Sequence, residues 1–149
     1  VSETNIDLDE AVLAVSVARS AGDIPVLASM TFQGADKDYR TFMGNTPEQA
    51  AGRLLQAGAD VVGVNCGFGG ADALAVVKRM RSAHPGALLM AKPNAGLPVV
   101  RDGQELYLTG PDDFVREGLA LRGSGVIVLG GCCGTTPAHL AALARAIRG

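Results

Sequence analysis

The sequence "RGSGVIVLGGCC", residues 122–133, contains the clearest strand pattern of the chain. A short apolar run rich in β-branched residues lies between glycines, which predicts a buried strand over 125–133. The next segment, 135–149, predicts a helix, because Thr136 suits the N-cap and Pro137 the first helical position. An apolar strand followed directly by an amphipathic helix is the repeating unit of a parallel α/β fold.

The same unit recurs along the chain. "AGADVVGVNC", residues 57–66, looks like a second copy of it, and the predicted strands start about 30 residues apart, as βα repeats do. The predicted strands are 25–32, 60–67, 87–96 and 125–133. The predicted helices are 7–22, 45–58, 71–84, 110–123 and 135–149, and a long loop is predicted over 33–45. The expected order is therefore a helix followed by four strand–helix units.

Two architectures fit this order: an open doubly wound sheet, or half of an eight-stranded (β/α)₈ barrel. A complete barrel needs about 250 residues, and the chain has 149. Periodicity alone does not choose between the two.

Composition excludes several classes of protein. The chain is 48% hydrophobic and 19% charged with a net charge of −2, which gives no electrostatic basis for binding nucleic acid or an anionic membrane. Its longest apolar runs, about eight residues, are too short to cross a bilayer. Three cysteines and no signal-peptide pattern argue against a secreted disulfide scaffold, so a reducing cytoplasm is expected.

The three cysteines mark a candidate metal site. Cys66, Cys132 and Cys133 all fall at the carboxyl ends of predicted strands, where parallel α/β folds place their sites. Adjacent cysteines are poor disulfide partners, and the glycines around the pair let both side chains turn to one point. Three cysteines without a fourth predict a zinc ion with one open position.

Such a centre favours alkyl transfer to sulfur. Three thiolates already outweigh the charge of zinc, so the ion activates water poorly but still holds an incoming thiol as a thiolate. Two alternatives stay open: small inert core cysteines, and redox chemistry by the vicinal pair Cys132–Cys133. His139 is a conceivable fourth ligand but is expected beyond the first turn of the last helix, near the site or at the surface. His84 is expected to be a solvated helix cap.

These motifs resemble those of a known family. "GVNCG" (63–67) and "GGCCGTTPAH" (130–139) are similar to the zinc motifs of the homocysteine S-methyltransferases. "SETNID" (2–7) resembles the stretch after the fourth barrel strand, and "KPNAGLP" (92–98) the segment after the seventh. Together with "YLTGPDDF" (107–114), they are most like the homocysteine-binding domain of cobalamin-dependent methionine synthase.

The resemblance covers essentially the whole chain and implies roles for particular residues. It implies zinc on the three cysteines, with the homocysteine thiolate as the fourth ligand. It assigns Glu3 to the ammonium group of the substrate, and Asn94 to shaping the pocket or filling the open zinc position. A solvated loop carboxylate and a turn asparagine are the plain alternatives. Asn65 is expected to orient the Cys66 loop, and the backbone amides of 28–31 and Gly130 are candidates for the substrate carboxylate.

The resemblance further implies a (β/α)₈ barrel of which residues 1–149 are a single partial homocysteine-binding domain, strands 5–8, with the N-terminal half absent. Open sheet edges would then need that missing half or self-association. The expected function is zinc-dependent methylation of homocysteine to methionine. Methylcobalamin on another module, betaine or S-methylmethionine would be the donor. The alternative is a non-catalytic zinc-binding half-domain that needs a partner.

Overall fold

Five parallel strands form the main sheet in a computed structural model that describes residues 1–34 and 37–149. The order across this sheet is β1, β2, β3, β4, β7, and β5 pairs with β6 in a separate antiparallel hairpin. The strands are β1 Ser2–Asn5, β2 Leu27–Met30, β3 Val61–Asn65, β4 Leu88–Lys92, β5 Pro98–Arg101, β6 Gln104–Tyr107 and β7 Val126–Leu129.

The five predicted helices are confirmed: four are slightly shorter than their predicted ranges, and the third has the predicted length but lies one residue earlier. Asp7 caps the first helix by accepting hydrogen bonds from two backbone amides, and Thr46 and Gln49 form a reciprocal capping box at the second. The helices are α1 Leu8–Ser20, α2 Pro47–Gln56, α3 Gly70–Ala83, α4 Pro111–Gly123 and α5 Pro137–Arg148.

The predicted order was wrong at its start, because a strand precedes the first helix. Residues 2–5 pair in parallel with β2, with Ser2 opposite Ala28 and Asn5 opposite Met30. The segment "SETN" is short, polar and partly exposed, so it lacks the apolar run by which a buried strand is recognised. The described chain therefore holds five strand–helix units rather than four, because β1 and α1 form the first of them.

The hairpin of β5 and β6 was also missed, although it carries a signal. Its turn is Asp102–Gly103, and both residues have positive φ, 51° and 76°. An Asp-Gly pair between extended segments is the usual sequence of a tight two-residue hairpin turn. The predicted loop over 33–45 contains a bridge between Gln33 and Arg40, and its residues 35–36 lie outside the described part of the chain.

One face of the main sheet packs against the helices. The alternate strand residues on that face join the apolar core: Ala28, Met30, Val62, Val64, Leu89 and Ala91. The residues between them, including Ser29, Asn65 and Lys92, point to the opposite face because side chains alternate along a strand. That opposite face carries the polar groups of the candidate site.

The sheet curls towards this polar face. In a flat sheet the backbones of β1 and β4 would lie about 14 Å apart, since neighbouring strands are about 4.8 Å apart. Nevertheless, Glu3 on β1 forms an ion pair with Lys92 on β4, and Thr4 bonds to Asn65 on β3. A curled parallel sheet favours part of a barrel over an open doubly wound sheet. Within the described residues, no helix is long and apolar enough to cross a membrane.

Candidate metal and substrate site

The three predicted metal ligands converge at the carboxyl ends of β3 and β7. The Sγ atoms of Cys66, Cys132 and Cys133 all lie within 4.8 Å of one another, and those of Cys66 and Cys133 are 3.7 Å apart. Tetrahedral zinc with Zn–S bonds of about 2.3 Å requires sulfur atoms about 3.8 Å apart. The sulfur spacing therefore fits zinc. All three thiols are free and none is fully buried, so they are not inert core residues.

Cys66 reaches the site through a sharp turn at the end of β3. Its φ is +60°, in the left-handed region, and Gly67 follows at +79°. A non-glycine residue in this region costs about 1 kcal/mol. Two hydrogen bonds hold it there: the Cys66 amide donates to the Lys92 carbonyl at 3.2 Å, and the Phe68 amide donates to the Cys66 carbonyl at 3.0 Å.

The loop that carries Cys132 and Cys133 begins earlier than predicted. The strand ends at Leu129 rather than at 133, so both cysteines lie in a turn in which the Thr135 amide donates to the Cys132 carbonyl. Gly134 has a φ of +75° and lies so close to Tyr107 of the hairpin that a Cβ would be 2.2 Å from the ring. The glycine lets the hairpin cover the cysteine loop.

The segment 93–95 ties the two cysteine loops together. The Cys132 amide donates to the Pro93 carbonyl at 2.9 Å, and the Ala95 amide donates to the Cys133 carbonyl at 2.9 Å. Asn94 is buried, and its side-chain oxygen accepts a hydrogen bond from the Cys133 amide at 3.1 Å. This hydrogen bond is consistent with the predicted role of Asn94 in shaping the loop, and because the amide oxygen has a second lone pair, its filling the open zinc position also stays a prediction.

Asn65 connects the cysteine loops to β1. Its side-chain oxygen accepts from the Thr4 amide at 2.8 Å and from the Ser29 hydroxyl at 2.7 Å. Its amide nitrogen donates to the Thr4 hydroxyl at 2.7 Å and lies 3.9 Å from the Cys132 sulfur. At 1% exposure, it is a buried side chain with its hydrogen-bonding groups engaged, which gives it a fixed orientation.

Glu3 and Lys92 form an ion pair beside the thiols. The Lys92 Nζ donates to Glu3 Oε2 at 2.5 Å, and the two side chains are 27% and 36% exposed. The Lys92 carbonyl also accepts from the Cys66 amide, and a Cβ on Gly130 would lie 3.1 Å from the Lys92 side chain. Glu3 is thus a paired strand residue. Sequence reasoning missed Lys92; its only signal was a charge at the carboxyl end of an apolar strand.

Two of the candidate backbone amides for the substrate carboxylate already donate within the protein. The Thr31 amide donates to the Asn5 carbonyl at 2.8 Å, and the Gly130 amide donates to the Ala91 carbonyl at 3.1 Å. The amides of β2 lie in a strand that pairs on both sides, with β1 and β3. The amides of Thr31 and Gly130 are therefore occupied within the protein.

Neither histidine is placed to bind a metal ion at the cysteine cluster. His139 lies in the first turn of α5, earlier than expected, and is buried. Its Nδ1 accepts from the Thr136 amide at 3.2 Å and its Nε2 donates to the Thr109 carbonyl at 2.8 Å, so both ring nitrogens are engaged. His84 caps α3 as predicted but is half-buried, because its ring bonds to the Glu48 carbonyl.

Partial burial disfavours the ionised form of the Cys66 thiol unless a positive charge lies nearby. Loss of water contact, together with the smaller effects of the neighbouring Cys133 and Cys132, raises the pKa of the Cys66 thiol to about 11. Three adjacent thiolates would repel one another, whereas a divalent cation between them would favour the ionised form of each. The cluster is therefore suited to a soft metal ion.

Comparisons with known proteins identify the family of the chain. The family model for homocysteine S-methyltransferase matches residues 1–147. Methionine synthase of Mycobacterium tuberculosis is 32% identical over 89% of the chain. The S-methylmethionine–homocysteine S-methyltransferase BHMT2 of Rattus norvegicus and the betaine–homocysteine S-methyltransferase 1 of Mus musculus are each 34% identical over 93% of it.

A solved structure confirms the fold. The apo form of the homocysteine methyltransferase MmuM from Escherichia coli superposes over 97% of the chain with a TM-score of 0.73 and 19% identity. The chain covers only part of each of these proteins: 11%, 41% and 37% of the three curated relatives, and 48% of MmuM. The chain thus spans less than half of the length of each of these four proteins.

Proposed function

The chain belongs to the homocysteine S-methyltransferase family, and on that premise we propose that it binds zinc and homocysteine and supports methylation of the homocysteine thiol to methionine. The observation that carries this proposal is the convergence of three sulfur atoms within 4.8 Å, from two loops 66 residues or more apart in the sequence. Zinc would be held by Cys66, Cys132 and Cys133.

Bound zinc would lower the pKa of the substrate thiol from about 8.5, so that the sulfur is a thiolate at neutral pH. The thiol proton passes to solvent. The sulfur then attacks the methyl carbon of the donor: a sulfur–carbon bond forms, and the bond from the methyl group to the donor breaks, its electron pair leaving with the donor. Asn65 and Asn94 hold the cysteine loops in place, and Glu3 receives the substrate ammonium group.

A catalytic role is favoured over a purely metal-binding one, because the relatives named above are all methyltransferases or synthases by name. We propose that residues 1–149 act as the zinc- and homocysteine-binding part of a barrel, completed by an N-terminal half or by a second copy. The relatives include betaine and S-methylmethionine enzymes as well as a methionine synthase, so methylcobalamin, betaine and S-methylmethionine stay candidate donors. Free thiols suit a reducing compartment such as the cytoplasm.

Proton release tests this function. Homocysteine added to the zinc-loaded chain at neutral pH should release about one proton per site, because a thiol binds zinc as a thiolate. Calorimetric titrations in two buffers of different ionisation enthalpy measure that proton count. Methionine, which has no thiol proton, is the matched control and should release none. Homocysteine that binds without proton release, or does not bind at all, would contradict the proposal.

A further inference from the structure

We infer that Lys92 binds the carboxylate of the substrate, so that the Glu3–Lys92 pair selects thiols that are zwitterionic α-amino acids. The inference rests on the proposed function, since the same cysteines would hold the thiol end of the substrate. It adds a residue, Lys92, and a basis for selectivity that sequence reasoning did not identify.

The position of Lys92 supports this role. It is the last residue of β4, directly opposite Asn65 in the β3–β4 register, and its carbonyl fixes the turn of Cys66 through the 3.2 Å hydrogen bond. Its side chain passes Gly130, two residues before Cys132. The Lys92 ammonium therefore lies at the same strand ends as the thiols. It is only 27% exposed, so its charge is partly shielded from solvent.

The pair itself is complementary to an amino acid. An α-amino acid carries an ammonium and a carboxylate on one carbon, and it can lie antiparallel to an ion pair whose charges are 2.5 Å apart. Its ammonium then meets Glu3 and its carboxylate meets Lys92, so every charge keeps an opposite neighbour. A thiol with only one charge is attracted by one member of the Glu3–Lys92 pair but is repelled by the other. The pair should therefore discriminate against both kinds of singly charged thiol.

Other donors for the carboxylate are less accessible. The amides of Thr31 and Gly130 already donate to carbonyls, and the Asn65 amide group bonds to the Thr4 hydroxyl. The Lys92 ammonium has three N–H groups, and Glu3 is its ion-pair partner at the site. It can thus accept a second anion without losing the first.

The test compares three thiols on the cobalt-loaded chain under anaerobic conditions. The probes are homocysteine, 3-aminopropane-1-thiol, which lacks the carboxylate, and 4-sulfanylbutanoate, which lacks the ammonium. Binding is followed by the change in cobalt absorption as a sulfur ligand adds to the ion. The unmodified chain should bind homocysteine at least about tenfold more tightly than either analogue, the size expected for one charge-assisted contact.

Two substitutions should change the selectivity in opposite directions. Lys92→Gln should weaken the binding of homocysteine about tenfold. It should strengthen the binding of 3-aminopropane-1-thiol, because the lysine ammonium that repels the ammonium of this thiol is removed. Glu3→Gln should instead strengthen the binding of 4-sulfanylbutanoate, because the carboxylate that repels this thiol is removed. Lys92→Arg should keep the preference for homocysteine, and the exposed Lys78→Gln, which removes the same charge elsewhere, should change nothing.

The outcomes separate this inference from the proposed function. If Lys92→Gln weakens the binding of all three thiols equally, or of none of them, the inference is overturned. Thiol binding to cobalt would still support the proposed site in that case. If no thiol changes the cobalt absorption of the unmodified chain, the proposed function fails and the inference fails with it. A fold defect is detected independently, because it would lower cobalt affinity itself and Lys92→Arg would not restore selectivity.

Discussion

Replacing Cys132 with alanine is expected to weaken zinc binding by about a hundredfold or more, and the same loss is expected for Cys66→Ala and Cys133→Ala. Zinc held by four protein ligands binds with about 10–16 kcal/mol, so each ligand contributes about 3 kcal/mol, which is about a hundredfold in affinity. The three sulfur atoms lie within 4.8 Å of one another, and the sequence has no fourth cysteine whose thiol could replace a lost one. Competition with a chromophoric zinc chelator measures the loss.

The chain contains no other cysteine, so the control variant replaces another small polar residue with alanine. Ser20→Ala, at the exposed end of α1, should keep the full zinc content. Circular dichroism should show that all four variants retain their helices, because no cysteine belongs to the apolar core. Full zinc occupancy in every cysteine variant would rule out the proposed site.

Gly134→Ala is expected to destabilise the chain by about 2–4 kcal/mol and to disturb the cysteine loop. Two effects add: about 1 kcal/mol for a side chain at positive φ, and about 1–3 kcal/mol for forcing atoms into a packed contact. The φ of Gly134 is +75°, and a Cβ there would lie 2.2 Å from the Tyr107 ring. The new methyl group must push the hairpin off the loop that holds Cys132 and Cys133.

Gly103→Ala supplies the matched control for Gly134→Ala. Gly103 has nearly the same backbone angle, +76°, but no atom lies within 4 Å of where its Cβ would be. It should therefore cost only the backbone part, about 1 kcal/mol. The free energies of unfolding come from urea titrations of both variants. Equal losses in the two would show that the hairpin does not pack on the cysteine loop.

Local signals account for the elements that sequence reasoning predicted. The caps Asp7, Thr46 and Thr136 each act within three residues, so the starts of α1, α2 and α5 could be read directly. The convergence of the three cysteines was predictable as well, because parallel strands bring their carboxyl ends to one edge of a sheet.

What escaped prediction depends on contacts between distant parts of the chain. β1 is a strand only because β2 pairs with it, since "SETN" has no apolar pattern of its own. The Glu3–Lys92 pair joins residues 89 apart and requires the sheet to curl. The hydrogen bonds of Asn65 to Thr4 and Ser29 likewise depend on the register of three strands. No local pattern encodes such a register.

X-ray absorption at the zinc edge, recorded before and after homocysteine is added, counts the sulfur atoms bound to zinc. We expect three sulfur neighbours at about 2.3 Å in the zinc-loaded chain, rising to four when homocysteine binds. A zinc ion with fewer than three sulfur neighbours, or a sulfur count that homocysteine leaves unchanged, would contradict this expectation.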